Sequence, residues 1–318
     1  MCDAQRSCIS RHLCIKSRIT LSNIDSKGDD AMIGYKLCKK LNKFFKLPVH
    51  PFNLSNNKAM SYGEWQYEKG ADTLKSYEGF FDIEKDNIFE GKTVVDIGCG
   101  EAGKTLFYAK HGVERIFGVE VLGKYEEQAN SLAHKLGLSD KFEFVTSDAA
   151  NLPFEDNSID IIIANDAIEH VDEPERVITE CLRVLKRDGR LYMNFPPYYH
   201  PFGAHLSDAI GMPWVHMFFS ERTLIDVYKD AVKDLPDGED RIDFRISKDE
   251  KGLEYFSYIN KMTVKRFKKI KNELGLNVVY YKEIPLRSFF APLAKLPIIK
   301  EVFVKMVVCI VEKSEHVY

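Results

Sequence analysis

No run of about 18 apolar residues occurs in this sequence, so a membrane-spanning helix is not expected. Cysteines at metal or disulfide spacing are missing as well. The seven (Cys2, Cys8, Cys14, Cys38, Cys99, Cys181 and Cys309) are odd in number and scattered, and none forms C-x-x-C. Neither a zinc site of that type nor a disulfide framework is expected, and reduced thiols in a cytoplasmic protein fit the distribution. Excess charge of either sign is absent too. A net charge of −3 over 318 residues gives no global electrostatic case for nucleic acid or for an anionic membrane. Internal repeats and low-complexity runs are not evident. Acids are scarce only at the start, where Asp3 is the sole one up to Leu21 in an Arg-, Ser- and Cys-rich stretch. Residues 1–31 therefore read as a disordered tail or upstream extension in preference to an organelle transit segment.

What remains is an ordinary globular balance, 45% hydrophobic and 29% charged. Residues 32–90 read as an N-terminal helical segment. "YKLCKKLNKFFKL" ends at Pro48, and Trp65, Tyr67, Leu74, Tyr77 and Phe81 fall at mixed helical spacings. From Gly91 the rhythm changes to strand and helix in alternation. "TVVDIG", "RIFGVEV", "FEFVTSD", "IDIIIAND" and "GRLYMNFP" are strands, and "ERVITECLRVLK" is an amphipathic helix between the last two. That alternation predicts an α/β fold with a parallel sheet covered by helices on both faces. Its ligand belongs at the carboxyl ends of the strands. After Pro197 the rhythm breaks into an aromatic, His-rich stretch, read as an inserted cap over about 198–275. Within it "SERTLIDVYKDAVKDL" is a helix with Ser220 as its N-cap. A strand "NVVYYKEI", an apolar segment and a last strand "VFVKMVVCIVEK" complete the chain.

The stretch "VVDIGCGEAGKT" satisfies two phosphate patterns at once. Gly98, Gly103, Lys104 and Thr105 complete G-x-x-x-x-G-K-[ST], and Gly98, Gly100 and Gly103 complete G-x-G-x-x-G. Charge argues against both. Asp96 stands two residues before Gly98, and a carboxylate about 4–5 Å from a phosphate costs on the order of a few kcal/mol at an effective dielectric near 20. Glu120 ends the second strand, placed to accept both hydroxyls of a ribose. Asp148 ends the third, placed to accept from an adenine amino group, and Asn165 ends the fourth. Acids on consecutive strand tips suit an adenosine joined to a cation, as in S-adenosylmethionine (SAM). Lys104 and Thr105 then read as the opening of a helix with Lys104 solvated, and Cys99 as a small buried residue contributing backbone.

Taken together, these residues resemble class I SAM-dependent methyltransferases of the broad type 11 group, from about Gly91 to Lys313. "VVDIGCGEAG" is similar to the family's glycine motif, "GVEV" to its ribose acid with an apolar residue under the adenine, and "SDAANLPFEDNSID" to its adenine-side motif. "ANDAIEHVDEPERVITECLRVLKRDGRLYMNFPP" is similar to the fourth strand through the fifth. The resemblance implies a seven-stranded Rossmann-like sheet whose last strand is antiparallel, within a methyltransferase domain spanning 91–318. It implies SAM as cofactor, held by Asp96, Gly98, Cys99, Gly100, Glu120, Val121, Asp148, Ala149 and Asn165. It does not specify the acceptor, because the fold serves many substrates.

Methyl transfer needs an aligned acceptor and, for a hydroxyl, a group that takes its proton. The stretch after the fifth strand supplies aromatic walls with a few polar groups: Tyr198, Tyr199, His200, Phe202, His205, Trp214, His216 and Phe218. His205, His170 and Asp166 are the catalytic candidates, His205 first, with His200 and His216 behind it. Asp166, Glu169 and His170 at i, i+3 and i+4 would share one face of a helical turn, and with His205 or His216 they have the composition of a divalent-metal site. "EHV" is common in this fold as turn packing, however, and no metal is expected. The basic helix "KMTVKRFKKIKNELGL" reads as a lid packed by Val264, Phe267, Ile270 and Leu274 with a solvated outer face. Arg287 to Phe303 is apolar enough to line a lipophilic channel or touch a membrane surface peripherally. The expected activity is methyl transfer from SAM to a small-molecule acceptor, at oxygen, with no nucleic-acid partner. The rivals are an RNA or protein methyltransferase and a non-catalytic SAM-binding regulator.

Overall fold

The computed structural model describes residues 26–48, 50, 52–53, 60–82, 86–296 and 299–314. Most of the N-terminal tail reading, residues 1–25, lies outside them. From Ser26 the chain is already helical, so the proposed tail gives way to α1 (Ser26–Asn42) five residues earlier than expected.

Two short helices follow, α2 (Tyr62–Glu68) and α3 (Gly70–Leu74). Ser61 starts α2 with a reciprocal capping box. Its hydroxyl accepts from the Glu64 N–H at 3.1 Å, and Glu64 accepts from the Ser61 N–H at 2.8 Å. The alternating core then runs β1 (Thr93–Ile97), α4 (Gly103–Ala109), β2 (Arg115–Glu120), α5 (Glu126–Lys135), β3 (Phe142–Thr146), β4 (Ile159–Asn165), α6 (Pro174–Val184) and β5 (Leu185–Phe195). After it come α7 (Val215–Phe218), α8 (Glu221–Val232), α9 (Gly238–Arg245), β6 (Ile246–Lys248), β7 (Glu254–Phe256), α10 (Val264–Glu273), β8 (Val278–Pro285), α11 (Lys300–Phe303) and β9 (Val304–Glu312).

The main sheet has seven strands in the order β3-β2-β1-β4-β5-β9-β8. The first five are mutually parallel, and β9 is antiparallel to both β5 and β8. The order reverses between β1 and β4, so a crevice opens at their carboxyl ends, where such sheets bind ligands. The strands read as unbroken apolar runs because both faces are covered. Val95, Ile97, Ile162 and Leu191 pack into one cluster with α6 and α10, and Val94, Ile116, Ile161 and Ile163 into another with α4 and α5.

A third cluster forms apart from the sheet. Cys38 of α1 meets Leu206, Ile210, Leu224, Tyr228, Val232 and Phe256 there, so α1 and residues 204–259 share one small core. The Ser220 cap on α8 is present, its side chain accepting from the Thr223 N–H at 3.3 Å. Within the polar stretch after Leu235, α9 and the β6–β7 hairpin form instead of plain loop. The basic helix α10 covers the sheet with Val264, Phe267 and Ile270. Its lysines are largely engaged: Lys268 lies 2.7 Å from Glu283, and Lys271 sits over the Tyr281 ring. Among the described residues the four cysteines are buried and unpaired, and no helix is long and apolar enough to cross a membrane.

Candidate active site

The glycine loop leaves β1 with three residues in the left-handed region, Gly98 (φ +73°), Gly100 (φ +52°) and Ala102 (φ +59°). A Cβ on Gly100 would meet nothing within 4 Å, so the loop faces open space there. Gly103 does a different job from the one its pattern suggests. A Cβ on it would fall 2.0 Å from the Gly63 carbonyl, so Gly103 lets α2 lie backbone-to-backbone against α4. The Gly63 N–H donates to Glu101 of the loop at 2.7 Å. The N-terminal helices thus clamp the loop from one side.

Asp96 is 4% exposed and accepts from the Thr105 hydroxyl at 2.5 Å. Burial pushes its pKa up to about 6, against the opposing pull of Thr105 and Lys104, with Glu120 adding to the rise. Glu120 accepts from the Gly100 N–H and the Leu122 N–H, both at 3.1 Å, one on each oxygen. Each oxygen keeps a second lone pair, which matches two neighbouring hydroxyl donors. Beside it Val121 is 64% exposed, an apolar surface at a strand tip. Asp148 is exposed and uses one oxygen on the Ala150 N–H at 2.9 Å, while Ala149 is buried below it. Cys99 is buried and its thiol pKa lies well above the ordinary value, chiefly from desolvation, so it contributes backbone and packing.

Two expectations change. Asn165 does not present its side chain to the loop. Its oxygen accepts from Tyr77 and Asn194, both at 2.7 Å, and its amide donates to Tyr108 at 2.7 Å, all buried. Every group it owns goes to a network that ties the N-terminal segment to β4 and β5. Lys104, in turn, is not a solvated helix opener. Its ammonium lies 3.0 Å from Asp166, which stands just past β4 with φ +50°. A lysine in a helix's first turn opposes the helix dipole, and that was the sequence signal that it had another partner. Tyr62 lies close enough to Lys104, Asp166 and Glu101 for their charges to perturb its hydroxyl.

Past Asp166, three residues converge. Glu169 Oε1 lies 3.9 Å from His170 Nε2 and 4.0 Å from His205 Nε2. The two imidazoles stand edge to face at 4.8 Å. His170 is oriented by its other nitrogen, 2.7 Å from the Tyr258 carbonyl, and 33% of its side chain remains accessible. His205 is a left-handed residue at φ +52°. Burial lowers the pKa of both histidines and raises that of Glu169, with Asp166 adding to the latter. His200 and His216 stand elsewhere: the first accepts from the Phe202 N–H at 3.2 Å, and the second packs on the Tyr198 ring at 4.8 Å.

Sequence reasoning also missed a buried ionic knot in the third cluster. Asp208 lies 3.3 Å from Arg241 and 3.1 Å from Arg245 and accepts from the Tyr228 hydroxyl at 2.8 Å. Arg245 also donates to the His205 carbonyl at 3.3 Å, so the knot reaches the candidate site through its backbone.

Residues 95–193 match the family model described as a methyltransferase domain. Among curated relatives, norajmaline N-methyltransferase of Rauvolfia serpentina is 33% identical over 33% of this chain and 36% of its own length. The 27-O-demethylrifamycin SV methyltransferase of Amycolatopsis mediterranei is 33% identical over 32% and 37%. The sterol 4-C-methyltransferase of Caenorhabditis elegans is 29% identical over 48% of each. The matches therefore span between about a third and a half of those relatives. The methyltransferase-domain match thus falls on the glycine loop and on β1 through most of β5, the segment on which the resemblance to class I SAM-dependent methyltransferases rests.

Proposed function

We propose that the chain transfers a methyl group from SAM to a small-molecule acceptor, at oxygen. The observation that carries this reading is the ring of carboxylates on adjacent strand tips around an open glycine loop, with Val121 exposed beside them. SAM, when bound, supplies a methyl group made electrophilic by its sulfonium. In this reading Glu120 holds the ribose hydroxyls, Val121 and Ala149 flank the adenine, and Asp148 accepts from its amino group. Asp96 faces the amino-acid end. Lys104 and Asp166 are a ready-made partner pair for a zwitterion, since one can take a carboxylate and the other an ammonium.

The acceptor side is the open edge of Glu169, His170 and His205. Both histidines offer ring lone pairs there, which suits anchoring an acceptor hydroxyl and taking its proton. The acceptor-atom assignment rests on that feature of this chain. The relatives' names carry N-methyl transfer, C-methyl transfer and an O-demethylated substrate, and do not choose among acceptor atoms. The engagement of the α10 lysines by Glu283 and Tyr281 argues against an RNA acceptor.

The test is incubation of purified protein with methyl-labelled SAM and fractionated small-metabolite extracts. Label should appear in a small-molecule product, and His205→Ala should lose that turnover while keeping SAM affinity. SAM binding with no transfer to any fraction would favour a non-catalytic SAM-binding protein instead.

A further inference from the structure

We propose that Glu169, His170 and His205 form a binding site for a divalent transition-metal ion of the zinc class. The strongest observation is Glu169 itself. Its side chain is 4% exposed, and among the described residues neither carboxylate oxygen has a hydrogen-bond partner. A buried carboxylate left unpaired is destabilising, so an orphan of this kind calls for a counter-charge. The two neighbouring imidazoles do not supply it through hydrogen bonds. At 3.9 and 4.0 Å they are beyond hydrogen-bond range of Glu169 Oε1.

The spacing suits a cation in the middle. One donor atom from each of the three residues lies within 4.8 Å of the others. Bonds of about 2.1 Å in a tetrahedron put donors about 3.4 Å apart, so these need close by only about half an ångström to more than one. Two imidazoles and one carboxylate with an open side are a donor set for first-row divalent metals, zinc and iron among them, and too nitrogen-rich for magnesium or calcium.

The surroundings hold the donors in place. The Tyr258 carbonyl fixes His170 Nδ1, which turns the Nε2 lone pair toward Glu169, the outer-shell arrangement that orients a ligating histidine. The hydroxyl of the same tyrosine donates to the Ala204 carbonyl, next to His205. Asn260 donates to the carbonyls of Ile168 and Val171 at 2.8 and 2.7 Å, and its backbone N–H to that of Glu169 at 2.8 Å. One short segment, Tyr258 to Asn260, therefore anchors both loops that bring the donors. The left-handed backbone of His205 is the strained element these contacts maintain. The accessible side of His170 leaves room for an exchangeable ligand, which in the methyl-transfer reading is an acceptor oxygen. Binding of the ion itself does not depend on that reading.

The experiment uses tag-free full-length protein stripped with a chelator and titrated with Co²⁺ and Zn²⁺ in the absence of SAM. The wild type should take up one equivalent, give the visible absorption of low-coordinate Co²⁺, and lose that absorption when Zn²⁺ is added. Glu169→Gln and His205→Gln should each weaken uptake at least about a hundredfold, the scale of a lost ligand set against the 10–100-fold of a lost outer-shell contact. Tyr258→Phe removes only the hydroxyl and should weaken uptake less than either. Circular dichroism and SAM titration of each variant separate lost folding from a lost site. If Glu169→Gln does not fold, the His205→Gln titration decides. No stoichiometric uptake by the wild type, or uptake unchanged in folded variants, overturns the proposal. Metal uptake without methyl transfer would leave this site standing and remove the proposed activity.

Discussion

Replacing Asp96 with asparagine should make the apo protein more stable and its SAM binding weaker. The folded-state pKa of Asp96 is raised from 3.8 to about 6, chiefly by burial. For an acid raised on folding, the native state holds the proton more tightly than the unfolded chain. Its contribution is therefore fully present below pH 3.8 and is lost as pH rises toward 6. A rise of that size corresponds to about 3 kcal/mol, the cost of keeping the charge buried above pH 6. The neighbours that set this field are Thr105, Lys104 and Glu120. Asparagine carries no charge and can still accept from Thr105. Thermal unfolding followed by circular dichroism should thus show the variant melting higher than wild type above pH 6, by roughly 4–5 °C at an unfolding entropy of about 2.1 cal/mol/K per residue over 318 residues. Near pH 4 the two should converge. A SAM cation facing Asp96 favours the ionised form, so wild-type affinity should rise about tenfold per pH unit up to about pH 6 and then level. The variant should lose that dependence along with a charged hydrogen bond of about 1.5–3 kcal/mol, or roughly 10- to 150-fold in affinity. Equal melting temperatures at pH 7.5 together with unchanged affinity would refute both the burial and the ligand assignment.

Other substitutions separate structural from functional roles. Asn165→Ala takes the acceptor of the Tyr77 hydroxyl and the donor to the Tyr108 hydroxyl, while Asn194 keeps its 3.4 Å contact to Tyr77, and should cost about 1–3 kcal/mol per orphaned group in denaturant unfolding. Its SAM affinity, measured where the protein is folded, should stay within a factor of a few; a large loss would return Asn165 to the cofactor site. Asp208→Ala removes the counter-charge of buried Arg245 and one of the two carboxylates on Arg241, which keeps Asp237 at 2.9 Å, and should cost about 3–5 kcal/mol, read as a lowered denaturant midpoint. A loss under 1 kcal/mol would mean that Arg241 and Arg245 are satisfied without it.

The sheet was legible because parallel strands buried on both faces must be apolar throughout, and "IDIIIAN" has few other ways to be read. The acids at its tips were legible because they follow directly on those runs. Side-chain direction was not. Asn165 closes a strand just as Glu120 does, yet it turns into a network whose partners come from α4, β5 and the N-terminal segment. Lys104 was hidden by its own pattern, since its partner Asp166 comes from another strand end. Arg241 and Arg245 stand four apart on α9, but their partner Asp208 comes from a distant loop, so no local pattern names the ion pair. The α9 helix and the β6–β7 hairpin were masked by polarity, being surface elements with short buried stripes. Glu169, His170 and His205 were nameable from sequence, but the missing hydrogen-bond partners of Glu169 are visible only in three dimensions.

The ligand of the glycine loop is the claim on which the rest stands, and calorimetric titration with SAM, ATP–Mg²⁺ and NAD under one set of conditions tests it. One SAM site is expected in the wild type, with a loss of at least about a hundredfold in Glu120→Ala from two charge-assisted hydrogen bonds, and no measurable binding of ATP or NAD. Tighter binding of ATP or NAD than of SAM, or SAM affinity untouched by Glu120→Ala, would contradict it.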